Sequence, residues 1–167
     1  MGRGRLVVVF LAGLLVLAGA ALATPGIGVL PAPATEVKAR GTIAEELNVH
    51  SDAGIKLKTK AAVDIVTQSI SIAPGGTTGW HGHPGPVFVT IKSGEMTIYY
   101  AGDECHGRTY GPGESFLDRG DATVHTARNE GAVDLDFWAT YLVPTAPPGD
   151  SAAPFRIDAP AQDDCGF

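Results

Sequence analysis

The chain has 167 residues, enough for one compact domain with its own core and too few for two of ordinary size. Its 12 Lys and Arg are outnumbered by 18 Asp and Glu, giving a formal net charge of −6, and no basic run interrupts the sequence. A nucleic-acid partner needs a basic face, so that class of function is excluded.

Residues 1–23 read as a signal peptide. Arg3 and Arg5 form a positive start, residues 6–23 are apolar or small, and Ala21-Leu22-Ala23 fits a small-x-small cleavage site ahead of Thr24. The apolar stretch approaches spanning length, so an uncleaved N-terminal anchor is the alternative, and residues 6–23 are then the only route to a membrane. Under both readings the arginines stay inside and the rest of the chain is secreted or otherwise extracytoplasmic. No Cys lies near the cleavage site to carry a lipid, and Arg3-Gly4-Arg5 is not a twin-arginine pair.

Residues 24–35, rich in Pro and Gly, are expected to be a linker or arm, and residues 36–167 a single domain with a C-terminal tail. A weak helical pattern is confined to residues 43–47. The remainder reads as short strands between turn signals. Residues 63–73 form the first run, closed by Pro74-Gly75-Gly76. Residues 87–91 follow, with Ser93-Gly94 as a hairpin turn into residues 96–100. Gly111-Pro112-Gly113 and Arg119-Gly120-Asp121 punctuate the stretch before residues 123–127 and 133–143. From Pro144 the tail is expected to pack over the outside of the domain. The pattern predicts an all-β sandwich or barrel, without repeats of solenoid or propeller period.

Cys105 and Cys165 are an even pair in a chain read as exported, so they are expected to form a disulfide, worth about 4 kcal/mol in the chain-entropy model. Two free thiols are the alternative.

Five histidines occur. His81 and His83, two apart, point to one face of an extended strand, and His125 sits in a run that a neighbouring strand would deliver from across a barrel. Neutral imidazoles suit a divalent ion such as Fe, Zn, Cu or Ni and are acceptable to Mn. His50 and His106 fall in turns and are not expected as ligands.

The segment PGGTTGWHGHPGPVFVTIKSG resembles the first motif of the cupin superfamily through Gly75, His81, His83 and Gly94. The segment GPGESFLDRGDATVHTARN resembles the second through His125 and Asn129. The resemblance implies a small single-domain cupin, a double-stranded β-helix or jelly-roll barrel, holding one divalent metal ion (Fe, Mn, Zn or Ni) on His81, His83 and His125. It also implies pairing as a homodimer. Two departures stand out. The usual glutamate ligand is replaced by Val87 and Phe88, and the usual Pro-x-Gly before the histidine by Gly120-Asp121-Ala122. A neutral three-histidine shell leaves the ion a stronger Lewis acid with places open for anionic ligands.

Gln68, which alternates with Val66 and Ile70, is expected beside the site as a rim or supporting hydrogen-bond group, with replacement of the missing ligand as the alternative, and Val87, Tyr99, Phe116 and Asn129 are candidates for the pocket or for support around the ligands. Tyr99 and Phe116 belong with Trp80, Phe88, Tyr100, Phe137, Trp138 and Tyr141 to a set of aromatics of which a pocket would take about two, the others being core. Glu95, Glu104, Glu114, Asp118 and Asp121 lie at or near turns and read as solvated, so no acid stands out as a general base. No nucleophile elbow or phosphate-cradling loop is present. Three functions follow for a small-molecule site: a dioxygenase-like oxidoreductase, as cupins with three-histidine centres include; a non-redox isomerase or lyase; or a small-ligand or metal-binding module without turnover.

Overall fold

A computed structural model describes residues 23–31, 34–121, 123–146, 153–162 and 165–167. The expected signal peptide or anchor lies, apart from Ala23, outside these residues. No helix occurs among the described residues, and the weak helical pattern at 43–47 is the end of a strand and the loop after it. The strands are β1 (Ile27–Val29), β2 (Glu36–Ile43), β3 (Asn48–His50), β4 (Lys56–Lys58), β5 (Val63–Thr77), β6 (His81–Gly82) and β7 (Val87–Ser93). They continue as β8 (Met96–Tyr100), β9 (Arg108–Tyr110), β10 (Ser115–Asp118), β11 (His125–Arg128), β12 (Leu135–Pro144) and β13 (Ile157–Asp158).

All pairings are antiparallel and build two facing walls. One runs β10-β7-β12-β5, with β2 added on β5; the other runs β8-β11-β6-β13, with β9 added on β8. Strand β5 joins them. Its first part pairs with β12 from Pro144↔Val63 to Leu135↔Ile72, and its end pairs with β11 at Arg128↔Thr77. The expected stop at Pro74-Gly75-Gly76 is therefore a bend inside one long strand, which carries the chain from the first wall to the second. The β3–β4 hairpin stands apart from both walls.

Period-two alternation sets the interior. Along β7, Val87, Val89 and Ile91 are buried, while Phe88 and Lys92 are exposed. Along β12, Leu135, Phe137, Ala139 and Tyr141 are buried and Trp138 is exposed. These residues, with Val66, Ile70, Ile72, Met96 and Ile98, form the core, and each fully buried aliphatic side chain contributes about 1.5–3 kcal/mol.

Two turn readings change in the structure. Ser93-Gly94 is no hairpin turn, because β7 pairs with β10 and β12, whereas β8 pairs with β9 and β11. It is the corner where the chain switches walls. Gly94 has φ +73° there, and a Cβ would sit 2.6 Å from the Asp134 carbonyl oxygen, so only glycine fits. The tail also differs from expectation. Residues 153–159 cross the barrel mouth instead of its outside: β13 pairs with β6 (Ile157↔Gly82, Asp158↔His81), and Ala159 N–H donates to Trp80 O at 2.9 Å. Within the expected linker or arm, β1 pairs with β5, and Thr24 N–H donates to Ala159 O. The two ends of the described chain thus meet beside β6.

Candidate metal centre

His81 and His125 are direct cross-strand partners on β6 and β11, and His83 follows two residues after His81 on the same inward face. The third histidine accordingly comes from the adjacent strand and not from across the barrel. All three are buried, one ring nitrogen from each lies within 4.8 Å of the others, and the ring centroids are 4.5–5.1 Å apart.

Hydrogen bonding determines which nitrogens face one another. His81 Nδ1 donates to Gly79 O at 2.8 Å and His83 Nδ1 donates to Phe155 O at 2.7 Å. His125 Nδ1 lies 3.3 Å from Thr123 O and 3.0 Å from Asp118 Oδ2. With every Nδ1 engaged by an acceptor, each Nε2 keeps its lone pair for a shared ligand. Burial, helped by the neighbouring His125 and Arg156, holds His81 far below the ordinary imidazole value. For His83 burial outweighs the raising effect of the Phe155 hydrogen bond and pushes it down to about 4. Both imidazoles are neutral at physiological pH, as a metal ligand must be. The donor set fits a divalent first-row ion.

Above the cluster lies a cavity of about 770 Å³, a volume typical of small-molecule sites. Its walls are mainly apolar, with Val87, Val89, Ile98, Phe116, Phe137 and Phe155 among them. Tyr141 and Gln68 add a polar corner: Tyr141 Oη donates to Gln68 Oε1 at 3.0 Å, and its ring stands 5.3 Å from His83 and 4.8 Å from Phe155. Burial raises the Tyr141 hydroxyl well above its usual value, so it stays protonated. Arg40 and Arg156 reach the cavity rim from their own partners. Arg40 is held by Asp64 at 2.6 Å and Ala153 O at 3.0 Å, Arg156 by Asp158 at 2.6 Å and Thr78 O at 2.8 Å.

Of the residues singled out in the sequence, Gln68, Val87 and Phe116 line this cavity with the three histidines. Tyr99 does not. It faces the outside, donating to Glu130 at 2.9 Å and packing 4.9 Å from Phe167. Asn129 also lies outside the cavity: its Nδ2 donates to Ile72 O and Val133 O, both at 2.8 Å, and its Oδ1 accepts from Gly131 N–H, so it ties the end of β11 to β5. Cys105 and Cys165 form a disulfide that anchors the C-terminal end.

The sequence reading passed over Asp118, Phe155 and Arg156. Asp118 looked like a solvated turn acid, yet it is 2% exposed and lines the cavity. The available signal was alternation from Phe116, which puts Asp118 on the same inward face. Burial works to raise its carboxyl, but the neighbouring His125 and the Gly120 N–H outweigh it and the net shift is downward.

Against known families, residues 68–141 match the cupin domain. Similar solved structures include a protein with a double-stranded β-helix domain from Klebsiella pneumoniae, at 20% identity over 58% of this chain and 76% of that one, TM-score 0.45. A cupin superfamily protein from Desulfitobacterium hafniense is 14% identical over 65% of this chain and 81% of that one, TM-score 0.42. Oxalate decarboxylase from Bacillus subtilis, a protein with Mn(II) centres, is 22% identical over 50% of this chain and only 22% of its own length, TM-score 0.42. No curated protein matches the chain.

Proposed function

Residues 68–141 form a cupin domain, and from that premise we propose that this is an exported metal-dependent enzyme, a dioxygenase-like oxidoreductase acting on a small organic molecule. His81, His83 and His125 hold one divalent ion in it. The observation that carries the reading is the convergence of three buried imidazoles, each with its Nδ1 engaged, at a largely apolar cavity of about 770 Å³. A bound redox-active ion such as Fe(II) supplies a Lewis acid and the electron exchange that lets oxygen react with an organic substrate.

The chain's own residues supply the rest. Val89, Phe116 and Phe137 bury the apolar part of the substrate and exclude water. Gln68 accepts from Tyr141, which leaves its amide N–H groups to orient a substrate oxygen. Export is supported by the Cys105–Cys165 disulfide, since such bonds persist outside the reducing cytosol.

The test is metal analysis after anaerobic purification, then oxygen uptake with enolisable small molecules. Iron-dependent uptake that disappears in His81→Ala, together with the bound ion, is the expected result. Tightly held zinc with no oxygen uptake would overturn the redox assignment. One observation favours a second reading, a non-redox isomerase or lyase: Tyr141 lines the cavity with its ring 5.3 Å from His83 and its hydroxyl protonated, a proton donor for a substrate held there. Metal-dependent turnover that persists without oxygen and is lost in Tyr141→Phe would select it.

A further inference from the structure

Where a glutamate ligand was expected the chain has Val87, and the residue opposite Val87 in the β7–β10 ladder is Asp118. The side chains of β10 alternate about this position. Ser115 and Leu117 are exposed, while Phe116 and Asp118 line the cavity. A carboxylate therefore enters the centre from the neighbouring strand. We propose that Asp118 is a positioning residue of the metal centre, accepting the Nδ1–H of His125 and supplying through that imidazole the negative charge that Val87 withholds. The inference rests on the reading of His81, His83 and His125 as the ligands.

Three features of the geometry carry it. The first is rigidity: Asp118 Oδ1 accepts the Gly120 N–H at 2.7 Å, and Gly120, at φ +65°, presses so closely on Gly85 that a Cβ would fall 1.9 Å from the Gly85 carbonyl oxygen. The backbone from 118 to 120 is clamped against the loop that leads into β7. The second is the state of Oδ2, which is buried, has no aligned hydrogen bond among the described residues, and lies 3.0 Å from His125 Nδ1. A buried carboxylate oxygen left without a donor is unfavourable, and an imidazole N–H polarised by a metal at the other ring nitrogen would be such a donor. The third is contrast. The Nδ1 atoms of His81 and His83 meet neutral backbone carbonyls alone, whereas that of His125 has a carboxylate at 3.0 Å beside the Thr123 carbonyl at 3.3 Å.

Asp118 touches the ring at Nδ1, so it acts through His125 and is not itself a ligand. Its charge polarises the His125 imidazole toward the ion and lowers the charge of the centre by one unit, as a glutamate ligand would. Aspartate to asparagine keeps the size and an acceptor for Gly120 N–H while removing the charge.

The experiment loads wild type and Asp118→Asn with Cu(II), measures affinity by chelator competition, and records the remote-nitrogen couplings of the imidazoles by pulsed EPR. The expected result is a 10- to 100-fold loss of affinity in the variant. Wild type should show one imidazole whose remote nitrogen differs from the other two, and the variant should lose that difference. Merely structural damage would lower the melting temperature without moving the coupling. Unchanged affinity or an unchanged coupling in a folded variant would overturn the inference while leaving the three-histidine centre standing. Should the variant not fold, the wild-type spectrum decides alone: three indistinguishable remote nitrogens overturn it. A wild type that takes up no ion overturns the metal reading and this inference with it.

Discussion

His81 and His83 stand two residues apart, one on β6 and one just past its end, and different kinds of structure hold them. The Nδ1 of His81 is satisfied by Gly79, within the wall itself, and that of His83 by Phe155, 72 residues away in the segment that crosses the barrel mouth. The two walls are built from longer ladders: β12 and β5 pair over ten consecutive positions in one, and β11 and β8 over four in the other, the wall that carries His81. The crossing segment has two paired positions on β6, a few backbone bonds, and the anchors at its far end, namely the disulfide and Phe167 packed under Arg128 at 4.1 Å. One centre thus draws on a region whose geometry is over-determined and on another held at few points. The stability of the site should be limited by the second.

Removing the disulfide is the largest test of this contrast. Cys105→Ser with Cys165→Ser opens a bridge across 60 residues and should cost about 4 kcal/mol in urea denaturation. Amide exchange at Ala159 should rise well before exchange at the β5–β12 ladder does. Uniform acceleration across both regions would break the comparison.

The apo protein offers a second, somewhat smaller test through pH. His83 is held at about 4 against an ordinary value of 6.5, so between these values the unfolded chain binds more protons than the folded one. Stability is therefore fully present above pH 6.5 and falls as the pH drops toward about 4. His83 alone accounts for a loss of about 3 kcal/mol at the bottom of that window. His81 shifts in the same direction and extends the loss to lower pH. Chelator-treated protein melted from pH 7.5 to 4 should show this decline, and a flat melting temperature would mean that the imidazoles are not buried as described.

The smallest effect sharpens the comparison. Phe155→Ala keeps the backbone carbonyl that accepts from His83 but removes a half-buried ring packed 4.8 Å from Tyr141. It should cost about 1–2 kcal/mol in denaturation and leave metal binding within a few-fold of wild type. A loss of metal binding as large as that from His81→Ala would show that the ring, and not only the carbonyl, holds His83 in place.

Much of this molecule is local information. The alternation of Val87, Val89 and Ile91, the spacing of His81 and His83, and the glycine framework from Gly75 to Gly94 all act within a strand or a turn. They were sufficient for an all-β barrel, for three histidines on inward faces, and for Gln68 and Phe116 in the cavity, because side-chain direction in a strand follows from position alone. Tyr99 obeys the same rule: with Met96 and Ile98 turned into the cavity, this aromatic candidate on β8 points outward to Glu130 and Phe167.

What tertiary structure decided is partnership. The sequence by itself determined that a strand would carry two imidazoles to one face and that a second run would carry a third. It did not determine that β11 would lie directly beside β6, that Ser93-Gly94 would change walls instead of closing a hairpin, or that the tail would bring Phe155 to His83. Each of these depends on which strand pairs with which. Asp118 is the sharpest case. Within its own turn it looks like one more solvated acid, and it becomes a buried neighbour of His125 only because β10 pairs with β7 and Gly120 packs against Gly85.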